Sequence, residues 1–502
     1  MAGAVAIPLV HLVVRALESE RALDELFTGR VARFVTTTVT LAAVTTAIGV
    51  FVGVGAAWLV ERTNVAGRGV LRVLAVLPLA VPTYVSALTI LAAFGPQGIV
   101  ADIPALVGFW GSAIVLTLST YPYVFLISLG VLRQMDPAIE EAATTLGDSP
   151  WVVFHRVVLP QLRPAMTGGG LLIFLYVLSD FGAVSIMRID TLTRAIFLEY
   201  RSSFDRATAA LLGLVLVALT LAAISGERAL RGRTAPARAV AGARIAAPVP
   251  LRQARWPLGL GVAALGVVGS VLPVAVLVHW AVSGEAGVEA GSITARAAAV
   301  SVQVSVAAAV VAVVAATPIA FLSVRHRSWF ARVTETVSVS GYALPGLVIA
   351  LAMVFAATQM VPALYHTLTL VVIAYVIRFL PESLGAVRAS LGQVDPALEE
   401  AARSLGRTRF QAVLSVTVPL VRSGALSGAA LVFLTAMKEL PATLLLRPPG
   451  YDTLATRVWT AASQGTYGRA APAALLLVAV SAVALWPLQI RRARQVASKV
   501  GG

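Results

Sequence analysis

The sequence predicts an all-α polytopic membrane protein, with about twelve transmembrane helices in two parallel repeats of six. The 502-residue chain is 58% hydrophobic and only 13% charged, whereas soluble proteins average about 25% charged residues. Continuous apolar runs such as Phe34–Val60 and Ala297–Val324 exceed the roughly 20 residues that a spanning helix needs. Because these runs do not alternate between polar and apolar residues, they predict helices rather than barrel strands.

Hydropathy places six spans in each half of the chain. Those of the first half run near residues 3–18, 34–60, 70–94, 108–132, 165–187 and 207–225. Those of the second half run near residues 257–282, 296–324, 334–358, 366–388, 424–446 and 471–489. The first span is the weakest, because it is short and contains His11 and Arg15; an interfacial segment is the alternative.

The net charge of +15 comes from arginines that cluster in alternate loops. They follow the second, fourth, sixth and eighth spans and close the chain, whereas several other loops are acidic or neutral. The positive-inside rule therefore places the basic loops and both termini in the cytoplasm. Two loops, 188–206 and 447–469, contain arginines although this topology places them outside. Charge distributed in this way indicates membrane topology and argues against nucleic-acid binding.

The stretch 226–256 is rich in Arg, Ala and Pro and predicts a cytoplasmic linker. It separates a first half, residues 1–225, from a second half, residues 257–490, and a basic tail follows at residues 491–502. Because each half has an even number of spans, both halves run through the membrane in the same direction. This arrangement predicts parallel repeats about an axis along the membrane normal.

A duplicated cytoplasmic segment links the two halves. Residues 134–147 recur as residues 393–406, with ten of fourteen positions identical at an offset of 259, which indicates a duplication. In the first copy, Asp136 predicts an N-cap, Pro137 the first helical position and Gly147 the C-terminal stop. A second short helix is predicted to end before Pro160, and the second copy repeats these signals. Each half therefore contains a capped helix-turn-helix between two spans.

This segment resembles the EAA loop of ABC importer permeases. The first EAA loop, residues 134–163, contains Glu-Ala-Ala, a glycine four residues further on, and Val157-x-Leu159-Pro160; the second EAA loop, residues 393–422, repeats the pattern with valine before the proline. The resemblance implies the type I importer fold, in which this loop is a coupling helix that inserts into an ATPase subunit. The residues assigned to coupling are Glu140, Glu141, Ala142, Ala143, Gly147, Pro160, Glu399, Glu400, Ala401, Ala402, Gly406 and Pro419.

The partners follow from the same resemblance. The two lysines, Lys438 and Lys499, lie outside any P-loop motif, so the chain is not expected to bind nucleotide in that way. The resemblance implies two copies of a cytoplasmic ATPase that bind ATP and Mg, together with an extracytoplasmic substrate-binding protein. The chain is then a non-catalytic pore subunit, without a cofactor of its own, in the bilayer of a bacterial cytoplasmic membrane.

Other stretches resemble fused ferric-iron permeases: Leu77–Tyr84, Leu178–Val184, Asp190–Thr193, Met437–Arg447 and Gly450–Arg457. Thiamine, phosphonate and molybdate permeases share much of this framework, so an importer of another small solute is the alternative. A twelve-helix secondary transporter is the rival of a different class, but it gives no reason for the duplicated loop. A membrane enzyme or scaffold is a third possibility, although the chain contains no H-E-x-x-H or G-x-S-x-G motif.

Charged residues in the fifth spans are the candidate substrate path. Asp180 and Glu439 occupy equivalent positions, 259 residues apart, where a charge is costly and normally faces the bundle interior. Fe³⁺ is a hard cation that prefers oxygen ligands, so two carboxylates near the pore axis suit it. The alternative is structural: Lys438 neutralises one carboxylate and the pair holds helices together. The chain contains no cysteine, and the residues around His155 lack the spacing of metal ligands. No firm metal site is therefore predicted.

Two further sets of residues are candidates for transport roles. Asp190, Arg194, Asp452 and Arg457 lie in the outer loops and are candidate contacts for the binding protein, which would explain the arginines there. Pro82 and Pro345 lie in the third span of each half and are candidate gate hinges. Plain helix kinks are the alternative, since a mid-span proline removes a helical hydrogen bond.

Overall fold

The structure is a computed structural model that describes residues 13–14, 29–96, 98–203, 206–231, 248–283, 290–325, 328–329, 333–335, 338, 341 and 344–500. The all-α polytopic fold is confirmed. The described residues contain seven helices long and apolar enough to cross a membrane, or up to nine if each of two bent pairs is one span. Two shorter apolar helices, Gly346–Met360 and Tyr467–Val483, add to these. The weak span predicted at residues 3–18 lies almost entirely outside the described residues.

The described part of the first repeat contains a 34-residue helix followed by shorter ones. Its helices are α1 (Gly29–Arg62), α2 (Arg68–Leu74), α3 (Thr83–Phe94), α4 (Phe109–Gln134), α5 (Pro137–Thr145), α6 (Arg163–Ser179), α7 (Gly182–Ile186), α8 (Leu192–Leu198) and α9 (Arg206–Arg231). Helical turns over Pro150–Val153, Phe154–Val158 and Leu159–Gln161 connect α5 to α6.

The second repeat follows the same order after the linker. Its helices are α10 (Arg255–Gly266), α11 (Leu272–Val282), α12 (Ala290–Arg325), α13 (Gly346–Met360), α14 (Leu368–Leu391), α15 (Pro396–Ser404), α16 (Val418–Met437), α17 (Pro441–Leu446), α18 (Leu454–Ser463) and α19 (Tyr467–Val500). A π turn over Val267–Val271 joins α10 to α11.

The described residues group into two compact units. The first unit contains the described parts of 29–195 and 218–283, and the second contains the described parts of 196–217 and 284–500. Within the first unit α1 packs against α4 and α6, and within the second α12 packs against α14 and α16. Helices α10 and α11 follow the linker in sequence but pack on α2 and α3 of the first unit. Packing therefore divides the chain differently from the two halves predicted at residues 1–225 and 257–490.

Two structural equivalences show that the repeats fold alike. Gly169 lies so close to Val124 that a Cβ would come within 2.9 Å of it, and Gly428 lies as close to Ser383, at 3.0 Å. These residue pairs are related by the offset of 259. Glycine at this position lets the backbones of neighbouring helices approach closely. The duplication seen in the loops therefore extends to the packing of the membrane helices.

The second equivalence lies in the outer loops. The backbone N–H of Leu192 donates to Thr38 Oγ1 of α1 at 2.9 Å, and that of Leu454 donates to Ser301 Oγ of α12 at 2.8 Å. Both leucines belong to an Asp-Thr-Leu sequence. A buried backbone donor needs a partner, and a hydroxyl in the long helix supplies it in each repeat.

Pro82 and Pro345 occupy helix starts, so the expectation that they lie within a helix is wrong. Pro82 is the N-cap residue of α3, with φ −61° and ψ 145°, and the chain bends by 103° between the preceding helical segment and α3. Pro345 is the N-cap residue of α13. The missing N–H of proline costs little at such a position. Among the described helices, prolines in helix interiors include Pro318 of α12 and the pair Pro122 of α4 and Pro381 of α14, again 259 residues apart.

Candidate functional site

The short helices of the EAA loops have the predicted caps. The Asp136 side chain accepts a hydrogen bond from the N–H of Ala138 at 3.0 Å, and Asp395 accepts one from Ala397 at 2.9 Å. After α5 and α15, Gly147 and Gly406 have φ values of 94° and 89°. This left-handed conformation favours glycine and ends a helix. The predicted start and stop of both short helices are therefore confirmed.

The predicted end of the second short helix before each proline is wrong. A π turn over Phe154–Val158 leads directly into the helical turn that contains Pro160. The equivalent π turn, Val413–Thr417, leads into α16 with Pro419 in its first turn. A proline within a continuous helix removes one hydrogen bond, and here the preceding turn has the wider π pattern of hydrogen bonds. The second EAA loop therefore runs without a break into a membrane helix, whereas the first bends by 65° before α6.

One glutamate anchors each EAA loop to the end of a long helix. Arg62, the last residue of α1, pairs with Glu140 at 3.0 Å and donates to the carbonyl of Leu132 at 2.8 Å. In the second repeat, Arg325 pairs with Glu399 at 3.1 Å, and Glu399 also accepts from Thr417 Oγ1 at 2.6 Å. Burial raises the pKa of Glu140, and the attraction of Arg62 only partly offsets it. These side chains connect the loops mechanically to α1 and α12.

The opposite face of each EAA loop is exposed and partly apolar. Glu141, Glu400, Ala142 and Ala401 are exposed, whereas Ala143 and Ala402 are half-buried. Leu146 is 87% exposed and its equivalent Leu405 is 86% exposed. The pairs Ile139 and Leu398, and Trp151 and Phe410, are exposed as well.

We call Ile139, Leu146 and Trp151 the first knob, and Leu398, Leu405 and Phe410 the second knob. Clustered exposed apolar side chains mark a protein contact surface. Sequence reasoning singled out the alanines and missed the knobs. The signal was available, because large apolar residues recur at these three positions in both copies of the loop.

Asp180 lies at a helix break rather than inside a helix. It follows α6, is 7% exposed and accepts a hydrogen bond from Thr83 Oγ1 at 2.6 Å. Its other oxygen accepts from the N–H of Ala183 at 3.0 Å. The carboxylate therefore caps α7 and joins it to the start of α3. The expectation of a continuous fifth span through Asp180 is wrong, because the chain changes direction where this side chain supplies the acceptor.

Glu439 lies at the equivalent break between α16 and α17. It is 6% exposed, forms an ion pair with Arg378 Nη1 at 2.6 Å and accepts from the N–H of Ala442 at 3.2 Å. Lys438 interacts electrostatically with Glu382, which accepts from Thr435 Oγ1 at 2.6 Å. Sequence reasoning missed Arg378 and Glu382, although both are charges inside a predicted span.

The second unit therefore contains four buried or half-buried charges that balance: Arg378, Glu382, Lys438 and Glu439. The positions 259 residues earlier are Ser119, Tyr123, Ser179 and Asp180. The two repeats thus differ where the substrate path was predicted. Among the described residues, no three His, Asp or Glu side chains are grouped so that they could hold a metal ion.

The candidate docking residues form ion pairs within their own loops. Asp190 pairs with Arg194 one helical turn later, and Asp452 pairs with Arg447. Asp190 is 55% exposed, so it remains accessible to a partner. Arg457 is half-buried in α18. The roles of these residues in docking, and of Pro82 and Pro345 as hinges, stay predictions.

Known proteins resemble this chain over most of its length. The family model described as binding-protein-dependent transport system inner membrane component matches twice, at residues 49–235 and 308–490. The chain is 33% identical over 493 residues to the Fe(3+)-transport system permease protein FbpB 2 of Haemophilus influenzae, covering 96% of this chain and 95% of that protein.

Two further relatives are more distant or shorter. The ferric transport system permease protein FbpB of Actinobacillus pleuropneumoniae is 26% identical over 477 residues, with 87% of this chain and 69% of that protein covered. The sulfate transport system permease protein CysT of Escherichia coli is 32% identical over 197 residues, which cover 37% of this chain and 70% of that protein.

Proposed function

Since the chain belongs to the family of binding-protein-dependent transport system inner membrane components, we propose that it imports ferric iron by ATP-driven alternating access. In this proposal two copies of a cytoplasmic ATPase bind ATP and Mg and contact the two EAA loops. A loaded extracytoplasmic binding protein delivers the substrate on the other side. Both termini lie in the cytoplasm with the EAA loops.

The paired knobs are the observation that carries the coupling proposal. Each presents exposed apolar side chains next to an exposed glutamate, and Leu146 and Leu405 are almost equally exposed. A motion of the ATPases is passed on through the anchors: from α5 to α1 through Glu140 and Arg62, and from α15 to α12 through Glu399 and Arg325. The chain itself converts this motion into access and makes no covalent bonds.

Co-purification tests the coupling proposal. Leu146→Asp with Leu405→Asp should abolish recovery of the ATPase with the tagged chain and reduce uptake at least about tenfold, because buried interface anchors dominate binding. Ile99→Asp with Ile103→Asp is the matched control, since these side chains are also exposed, at 54% and 42%, but lie in the predicted outer loop. Unchanged ATPase recovery and uptake in the knob variant would contradict the proposal.

The iron assignment rests on the relatives named for ferric transport, and on the oxygen-rich side chains Asp180 and Glu439 as candidate path residues. Radiolabelled ferric uptake should be measured in a host without its own systems, against sulfate, thiamine and phosphonate. Preferential uptake of one of these solutes would overturn the assignment of ferric iron as the substrate, but it would leave the permease assignment intact. Uptake that survives ATP depletion but not an uncoupler would instead favour a secondary transporter.

A further inference from the structure

A basic cleft lies where the linker rejoins the first unit. The residues that line it are Asn64, Val65, Gly67, Arg68, Gly69, Val70 and Pro248. One wall is the strap, residues 248–251, which pairs with the chain after α1. The N–H of Val249 donates to the Arg62 carbonyl at 2.8 Å, and the N–H of Asn64 donates to the Val249 carbonyl at 3.2 Å. Asn64 Oδ1 accepts from the N–H of Leu251 at 2.8 Å. The cleft is therefore built by hydrogen-bonded backbone.

Two membrane helices form the floor beneath the strap. Helices α2 and α10 pack against each other through two glycines of α10. A Cβ at Gly259 would come within 3.3 Å of the Ala66 carbonyl oxygen, and one at Gly266 within 2.6 Å of that of Leu74. This close approach holds the start of α10 beside the start of α2, so the side chains at the two starts share one surface.

Arg68 lines the cleft, and Arg252 and Arg255 follow the strap directly in the chain. Arg68, Arg252 and Arg255 are exposed, and among the described residues none of them has a carboxylate partner. The nearby carboxylate of Glu61 is already shared by Arg72 at 2.9 Å and Arg133 at 3.2 Å. Arg255 lies over the ring of Trp256, 5.6 Å from its centroid. Arg68 in the cleft and the two arginines that follow the strap therefore carry positive charge without a carboxylate partner among the described residues, and one of them lies over an aromatic ring.

Apolar side chains continue from the arginines along the two helices. Val70 is 65% exposed, Trp256 60% and Leu260 69%. Arginine beside tryptophan at the end of a spanning helix is typical of the depth of lipid headgroups. We propose that this cleft binds the headgroup of an anionic phospholipid, with its phosphate at Arg68 and Arg252 and its acyl chains along Val70 and Leu260.

This chemistry selects a lipid over a free anion. Inorganic phosphate matches the arginines alone, whereas an anionic phospholipid matches both the arginines and the adjoining apolar side chains. Basic pockets between membrane helices on the cytoplasmic side are a known setting for such headgroups. The lipid would also brace the strap on Arg62, whose guanidinium holds Glu140 of the first EAA loop. Lipid binding does not depend on the transported substrate.

Native mass spectrometry of the purified full-length chain tests the proposal. Palmitoyl-oleoyl phosphatidylglycerol and palmitoyl-oleoyl phosphatidylcholine are the probes, and the apparent Kd of the first lipid bound is measured for each. Two arginines near an anionic group strengthen binding roughly thirtyfold. We therefore expect the wild type to prefer phosphatidylglycerol by about that factor and Arg68→Gln with Arg252→Gln to lose the preference.

Three variants guard this result. Arg33→Gln with Arg296→Gln removes the same charge at exposed sites outside the cleft and should keep the preference. Arg68→Lys with Arg252→Lys should keep most of it. Val70→Glu serves if the glutamine variant does not fold. It adds a negative charge at an exposed side chain of the cleft and should abolish the preference for phosphatidylglycerol.

The proposal is overturned if the wild type binds both lipids equally, or if a folded cleft variant keeps the full preference. Competition by millimolar inorganic phosphate distinguishes the sources of phosphate. Retention of phosphatidylglycerol supports the lipid site, and complete displacement would show a free-phosphate site instead.

Discussion

Adjacent glutamates in each EAA loop have opposite environments. Glu140 and Glu399 are half-buried and pair with the last arginine of a long helix, whereas Glu141 and Glu400 are exposed. Successive residues of an α-helix point in directions about 100° apart, so only one glutamate of each pair can face the bundle. The sequence predicts coupling roles for both. The structure separates them into an anchor and a surface residue.

Glu140 makes the first EAA loop sensitive to pH. Burial raises its pKa, so the packed loop binds this proton more tightly than the released loop does. The free energy that holds the loop packed therefore falls as the pH rises from the ordinary range of a glutamate through the raised pKa. Hydrogen exchange of residues 137–145, corrected for the intrinsic rate, should show weaker protection across that window. Glu140→Gln should remove this dependence of protection on pH, and Glu141→Gln should keep it. The reverse pattern would refute the assignment of the pH dependence to Glu140.

Replacing Gly346 should cost stability, because its side of the backbone faces a buried ion pair. A Cβ there would overlap the Arg378 guanidinium and come within 2.7 Å of Glu439 Oε1. Separating a buried ion pair costs about 3–5 kcal/mol, so Gly346→Ala should lower the thermal midpoint in detergent sharply. Gly385→Ala is the control, because no atom lies within 4 Å of its added Cβ and alanine favours the helix. Equal midpoints for both variants would contradict the prediction.

At the scale of elements, the two EAA loops are supported unequally. Glu399 has a second partner in Thr417, and Thr408 and Gln411 form a reciprocal capping box before the π turn. At the equivalent position of the first loop, Ser149 makes no capping hydrogen bond with its side chain. The second loop therefore has support that does not depend on its anchoring arginine.

This inequality predicts unequal effects of removing the anchors. Arg62→Gln should weaken hydrogen-exchange protection of α5 by about 1.5–3 kcal/mol, the usual contribution of a hydrogen bond to a charged group. Arg325→Gln should weaken protection of α15 less, because Thr417 still holds Glu399. Both helices are followed in the same experiment, so each is the control for the other. A larger loss in α15 than in α5 would rule out this account.

Local features of these elements were predictable and long-range ones were not. The caps at Asp136 and Asp395 follow from contacts only two residues apart, which a sequence pattern contains. The pairing of Arg378 with Glu439 joins residues 61 positions apart, and hydropathy carries no information on it. The prediction of a helix end before Pro160 failed because a π turn over Phe154–Val158 continues the helix through this proline.

For the whole molecule, the order of spans was predictable but their neighbours were not. A helix that is apolar on all sides, such as α10 with α11, gives no sign of which helices it contacts. The structure packs both against the first unit, through Gly259 and Gly266 on α2 and between α11 and α3. The linker therefore ends at a helix of the second repeat that packs within the first unit.

This packing predicts that the chain can be divided within the linker. Residues 1–235 and 236–502, expressed together as separate chains, should co-purify from membranes, because the second fragment carries α10 and α11 and the first carries their packing partners. Deleting residues 248–283 from the second fragment removes the strap and both helices, and should reduce recovery of the first fragment severalfold. The undivided chain sets the value for full recovery. If the first fragment is recovered equally well after the deletion, these helices do not hold the first unit.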